Sequence, residues 1–370
     1  MNFGFSDDQL SLREAAAGVL AVESPPALVR SGMDDPQAWR PLWKTIVDLG
    51  WTALAVPEAH GGLGLGIVDL VALAEVTGRW VLPAPFLSSA GLAGPVLDSL
   101  HGLGSPAVTG ALAGIAAGTV TTLAVAGPDP RHDDPTAGAT WDGTTLSGTK
   151  TLVTDAARAE VLVVVAADTA GRPVVAVVPA AQAGVHIEPV TSVDPNRPVA
   201  DLHLDRVALD AAAVIAADPG PGIDAARTVA AAELVGVCDR VLEIAVEHVT
   251  SRTQFGRPLG AFQAVKHRLA DVFVATERAR TLTYNAAMVL DDDGSAAVER
   301  TAAAAMAKAA ASEAALFAAK SAVQVHGAIA MTWEHDLHLH TRRARLGALC
   351  LGDIRGQYKR AGAAYLQGKA

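Results

Sequence analysis

SRTQFGRPLGAFQAVKHRLADV, residues 251–272, joins two long helical patterns through a segment that no helix favours. Phe255-Gly256, Pro258 and Gly260 follow one another closely. Proline lacks an amide donor and clashes with the preceding helical turn, and glycine is a poor helix former, so one helix ends before this stretch and another begins near Gln263. Upstream, Leu234, Val237, Val241, Ile244 and His248 recur on one face, with Asp239, Arg240, Glu243 and Glu247 elsewhere. Downstream, a second pattern runs from Gln263 to Leu290 and closes on Asp291, Asp292, Asp293 and Gly294, read as a solvated helix end. An alanine-rich third runs from Ser295 to Val325, where Gly327 stops it. Its small side chains on several faces predict burial from two directions, with an oligomer supplying the second. Two more helices complete the chain. Helices of about 25–30 residues, each about 40 Å long, predict an antiparallel bundle.

The rest of the 370 residues divides by texture. Residues 1–115 read as a helical domain, opened by a capping-box match of Ser6 with Gln9. The loop AVPEAHGGLGLG, 55–66, lacks the preceding strand that a phosphate-binding glycine motif requires and is read as a turn. Residues 116–215 change to short β-branched runs such as EVLVVVAA and PVVAVVPA, with Asp142-Gly143 and Gly171-Arg172-Pro173 as turns, which predicts a β-sheet domain. Residues 216–370 form the bundle and oligomerisation domain. The class is α+β, a central sheet between two helical regions.

Bulk properties exclude several functions. A net charge of -10 without clustered Lys or Arg argues against nucleic acid. Two cysteines, Cys238 and Cys350, exclude a disulfide framework, and acidic residues near the start do not resemble a secretory signal, so the expected location is the cytoplasm. The longest charge-free run, Gly102–Gly127, contains too much Ser, Thr, Gly and Pro for a membrane span and is read as a helical turn or loop entering a strand.

The spacing of Arg252, Phe255, Gly256, Leu259 and Gln263 between two long helices resembles the signature of acyl-CoA dehydrogenase flavoproteins. The likeness continues through VPEAHGGLGL, SGTKTLVTDAARAEVLVV and QVHGAIAMTWEHDLHLHTRRARL. It implies that fold, and FAD as cofactor. Arg252 would donate a forked set of hydrogen bonds to the pyrophosphate of a neighbouring subunit's FAD. Gln254 belongs to the same cofactor loop, Phe255 and Leu259 would pack against rings and ribose, and Gln263 can donate and accept. Thr154 matches a threonine beside the flavin; Gln324, Val325 and Gly327 match the adenosine side. Implied partners are an acyl-CoA substrate, an electron-transferring flavoprotein, and a homologous subunit or a second copy in a dimer or tetramer.

The pattern breaks where the chemistry requires a base. Removing the proton α to the thioester carbonyl needs a carboxylate within hydrogen-bond reach. Aligning the family's Arg-Asp-Ala segment on Arg342-Arg343-Ala344 puts Leu351 at the usual glutamate, and the alternative position falls on Ala226, before Arg227. The flavin-lining motifs are replaced by AVAGPDPRHDDPTAG, 124–138, an expected tryptophan is Leu152, and a glycine-rich motif has become Gly327-Ala328-Ile329-Ala330. Two readings compete: the base-lacking subunit of a heteromeric enzyme, or a self-sufficient enzyme with a substitute carboxylate. Asp353 is the weak candidate there, with Glu233 and Asp239 behind it. A non-enzymatic scaffold and an oxygen-reactive relative stand as further alternatives. Relatives built from two unlike chains often handle steroid-derived thioesters.

The histidines 326, 335, 338 and 340, with Glu334 and Asp336, invite a metal, but helical spacing does not converge them and no metal is expected. Cys350 is read as a buried helical thiol rather than a nucleophile.

Overall fold

The computed structural model describes residues 4–129 and 134–368. The N-terminal part contains α1 (Asp7–Glu23), α2 (Pro26–Ser31), α3 (Arg40–Asp48), α4 (Ile67–Arg79), α5 (Gly94–Asp98) and α6 (Pro106–Ala116). The Ser6 hydroxyl accepts from the Gln9 amide and the Gln9 side chain returns to the Ser6 amide, so the capping box forms as the spacing predicts. The charge-free run resolves into α6 followed by a strand, so the single turn expected there is a three-turn helix.

The sheet comprises β1 (Thr121–Ala124), β2 (Ala139–Trp141), β3 (Thr145–Thr154), β4 (Val161–Asp168), β5 (Pro173–Pro179), β6 (Val185–Val190), β7 (Val199–Ala208) and β8 (Val214–Ile215). Among the described residues its order is β6-β7-β3-β2-β4-β5-β8, with β1 parallel to β4. Both predicted turns form: Gly143 and Gly171 take positive φ, of 100° and 79°. β4 shows why its sequence is continuously apolar. Leu162, Val164 and Ala166 enter a core between sheet strands, whereas Val163 and Val165 join the core shared with the N-terminal helices.

The C-terminal part contains α7 (Gly220–Ser251), α8 (Gln263–Asp291), α9 (Ala297–His326), α10 (Leu337–Leu349) and α11 (Ile354–Gln367). Two short strands, β9 (Thr253–Gln254) and β10 (Arg257–Pro258), lie between α7 and α8. Helix α9 packs against α7, α8, α10 and α11. Burial on several of its sides is therefore supplied by its own chain. With its extension to Met331 it is long and apolar enough to cross a membrane by composition, yet its alanines form the bundle core. Helices α4 and α7 touch backbone to backbone: a Cβ on Gly78 would lie 1.9 Å from the Glu233 carbonyl oxygen, and one on Gly236 1.8 Å from that of Glu75.

The reading of Asp291 as a solvated helix end is corrected. Its carboxylate accepts from the amides of Ile67 (2.8 Å) and Val68 (2.9 Å), capping α4 from 224 residues away. The α4 N-terminus starts at Gly66, which has no side chain to cap it, and a remote carboxylate takes that role.

Candidate active site

The segment 251–263 folds as a minimal hairpin. Phe255 and Gly256 take φ of 55° and 75°, the left-handed pair that a two-residue hairpin turn requires, and Gln254 pairs with Arg257. The Leu259 amide donates to the Arg252 carbonyl (2.9 Å), closing the loop before α8 starts at Gln263. Arg252, Gln254, Phe255 and Gln324 are exposed; Val325 and Leu259 pack partly into the bundle core. Gly327 ends α9 at φ 69°. The C-termini of α7 and α9 meet through His248 and His326, whose rings stack at 4.2 Å. Eight of the nine sequence-predicted cofactor residues thus lie on the connected ends of α7, α8 and α9. The ninth, Thr154, lies elsewhere.

Thr154 ends β3 and lines a cavity of about 260 Å³ between the sheet, α7 and the turn joining α10 to α11. Its walls are predominantly apolar, with Leu92, Leu123, Leu152, Ile223 and Leu351 among them, and none of the eight other cofactor residues lines it. This cavity gathers several of the positions at which the sequence departs from its resemblance. Leu351 sits at φ 58° and Gly352 at 106°. Leu152, at φ 53°, also faces the cavity. Ala226 is fully buried just behind Arg227, which lines the wall and pairs with Asp224 at 2.7 Å. Asp224 in turn accepts from Thr301 at 2.6 Å, so the guanidinium is held in place. Of the replaced segment 124–138, Val125, Ala126, Asp134 and Pro135 line the cavity; positions 130–133 lie outside the described residues.

Each candidate substitute base has a definite place. Asp353 reaches the cavity, but its Oδ1 accepts from the Gly356 amide at 2.7 Å and caps α11. Glu233 is removed from candidacy. It is buried in an ionic cluster, with Arg197 Nη1 at 2.6 Å from Oε2 and Arg343 Nη1 at 3.2 Å from Oε1, while Arg343 also holds Asp194 at 2.6 Å. Burial alone would raise the Glu233 carboxyl; Arg197 and then Arg343 reverse this and hold it below the usual range. Asp239 is removed as well, because it pairs with Arg280 on α8 and does not line the cavity.

The four histidines do not converge on one point. His335 precedes α10, its ring 4.7 Å from that of His326; His338 packs edge-on against Trp333, and His340 bonds the Arg79 carbonyl. Among the described residues no group of three His, Cys, Asp or Glu could hold a metal. Burial pushes the Cys350 thiol above its ordinary value, the wrong direction for a nucleophile.

Two residues escaped sequence reasoning. Lys150 and Lys308 are completely buried, Lys150 holding carbonyls of the cavity's sheet wall and Lys308 carbonyls just before the turn that lines it from the bundle. The only legible signal was a lysine set within an alternating strand, and another within an alanine-rich helix.

A helical region, a sheet and a helical bundle enclosing a cavity at their junction define the acyl-CoA dehydrogenase fold, and this chain belongs to that family. Residues 6–118 match the acyl-CoA dehydrogenase N-terminal domain and 221–360 the C-terminal domain. The chain is 31% identical over 357 residues to acyl-CoA dehydrogenase IpdE2 of Mycobacterium tuberculosis strain H37Rv, covering 96% of each. Its structure is similar to that of the ChsE4–ChsE5 complex from M. tuberculosis, with TM-score 0.89, 27% identity and 99% of each chain covered. It also resembles the Tcur3481–Tcur3483 steroid acyl-CoA dehydrogenase G363A variant, with TM-score 0.87, 28% identity, and 98% and 99% of the two chains covered.

Proposed function

We propose that this chain is one subunit of a two-chain acyl-CoA dehydrogenase, in which a homologous partner supplies the carboxylate that removes the α proton. The observation that carries this reading is Leu351. It occupies the turn of the cavity wall at the family's base position, and Ala226 is buried at the alternative one. A side chain without a lone pair cannot accept a proton.

The residues present fit FAD. Arg252 and Gln254 present donors to solvent, and a Cβ added at Gly256 or Gly327 would meet nothing within 4 Å, so the backbone there is open to close approach. Arg252 and Gln254 would hold the pyrophosphate, Phe255, Leu259 and Gln263 the adjoining rings and ribose, and Gln324, Val325 and Gly327 the adenosine side. Thr154 would stand beside the flavin. When bound, FAD supplies a two-electron acceptor for the hydride leaving the β carbon. This chain's part is to bind and orient the cofactor and to exclude water from an apolar cavity. The separation of the two residue groups supports a cofactor shared between subunits, and the two-chain complex among the structural neighbours supports a homologous partner. An electron-transferring flavoprotein is the onward acceptor. The steroid substrate named for one neighbour supports a bulky acyl portion.

One observation favours a second reading, that Asp353 acts as a substitute base: it is among the residues lining the cavity. Producing the chain alone and with a homologous subunit, then measuring flavin content and acyl-CoA-dependent bleaching, separates the two. Bleaching only in the mixture is expected. Bleaching by the lone chain that Asp353→Asn abolishes would overturn the two-chain reading, and absence of flavin from both preparations would favour a scaffold.

A further inference from the structure

Lys150 on β3 and Lys308 on α9 are each fully buried, and neither has a carboxylate within hydrogen-bond distance among the described residues. Burying an ammonium without a counter-charge is unfavourable unless its donors are satisfied. Both are saturated. Lys150 Nζ donates to the carbonyls of Val125 (3.1 Å), Pro135 (2.8 Å) and Ala137 (2.7 Å). Lys308 Nζ donates to Ser312 Oγ (2.9 Å) and to the carbonyls of Gly347 (3.1 Å) and Ala348 (3.3 Å). An ammonium has three protons to give, and here each finds an oxygen; the neutral amine keeps two of these bonds, so the wall remains held once the charge is lost.

The segments they hold border the same cavity. Val125 and Pro135 line it on the sheet side. Gly347 and Ala348 lie in the last turn of α10, which runs directly into the Leu349–Asp353 turn that lines it from the bundle. Helix-terminal carbonyls lack intrahelical partners, and a cation there completes them. We propose that Lys150 and Lys308 are positioning residues that fix the two walls of the cavity, each by gathering main-chain carbonyls and neither by touching a ligand. This inference rests on the cavity's geometry and is independent of the reaction carried out in it.

A pH response distinguishes this role from simple packing. Burial lowers the Lys150 amine to about 7 from the ordinary 10.5, with Asp134 opposing, and the Lys308 amine to about 8, with Cys350 and Glu233 opposing and Arg227 reinforcing. A wall that opens returns its lysine to water and to the ordinary value. Between the buried and the ordinary value the open state binds more protons than the closed one. Rising pH therefore favours closure, by up to about tenfold per pH unit in that window, and each wall is loosest below it.

Amide hydrogen exchange on the full chain from pH 6 to 9, corrected for intrinsic base catalysis, reads this directly. The Thr151 amide, bonded to the Ala126 carbonyl at 2.9 Å, reports on the sheet wall. The Cys350 and Gly352 amides, bonded to Gly347 and Leu349 at 3.2 Å each, report on the bundle wall. Protection at both should grow about tenfold or more with rising pH. Lys150→Met should remove the dependence at Thr151 alone, and Lys308→Met at Cys350 and Gly352 alone. If either methionine variant fails to fold, the arginine variant decides, since arginine stays charged and should give a flat profile at its own wall. A profile flat in the parent protein, or one that survives replacement of the wall's own lysine, overturns the proposal.

Discussion

Two turns in this chain share one backbone recipe in opposite surroundings. Between α7 and α8, Phe255 and Gly256 both take left-handed φ; between α10 and α11, Leu351 and Gly352 do the same. A left-handed conformation is unfavourable by about 1–2 kcal/mol for a residue with a Cβ, so each turn is held by its neighbours. The first is held by its hairpin pairing and leaves Phe255 88% exposed. The second is held from inside: the Leu351 carbonyl accepts from Gln357 Nε2 at 2.8 Å, and Lys308 completes the helix that leads into it. The exposed turn keeps the side chains its resemblance requires. The enclosed turn keeps only its shape, because hydrogen bonds to its carbonyls, rather than the side chain at 351, define it.

The strongest way to break this comparison is to restore the missing group. If the enclosed turn retains its shape, Leu351→Glu in the flavin-loaded lone chain should raise acyl-CoA-dependent bleaching by about 10²–10⁴-fold, the usual contribution of a positioned base. An unchanged rate would show that more than the carboxylate is absent.

Glu233→Gln tests how firmly the enclosed turn is anchored, since Arg343 of α10 ends in the Glu233 cluster. Removing the carboxylate charge leaves Arg197 and Arg343 under-compensated, and unfolding in denaturant should show a loss of about 3–5 kcal/mol. Arg252→Ala should act in the opposite manner. Flavin titration should give an affinity weaker by about 1.5–3 kcal/mol, with the melting temperature of the flavin-free chain unchanged, because Arg252 is exposed. Asp291→Asn should give the smallest effect, a loss of about 1 kcal/mol in denaturant stability from weakened capping of α4.

The exposed turn was legible in the sequence because its information is local. Gly256, Pro258 and Gly260 break helices wherever they stand, and the helices on either side begin and end within a residue or two of where the pattern places them. Leu351 was located for the same reason, as a count of residues from recognisable landmarks. The partners of charged groups were not. Asp291 looked like a solvated end because nothing near it in the chain reveals that the α4 N-terminus lies against it. Glu233 looked available for proton transfer because Arg197 and Arg343 are 36 and 110 residues away. The alanines of α9 were correctly read as buried, but their neighbours α7, α8, α10 and α11 were not legible, since composition reports burial without naming what covers it.

The sequence alone determined the order of elements, the α+β class and the family, since periodicity, helix breakers and residue identity are properties of the chain in one dimension. Tertiary structure decided which charges neutralise one another, which carbonyls Lys150 and Lys308 gather, and that Thr154 stands apart from the other residues proposed to hold the cofactor. Those outcomes depend on distances of a few ångströms between segments far apart in the chain, where burial removes water and makes each remaining polar contact matter.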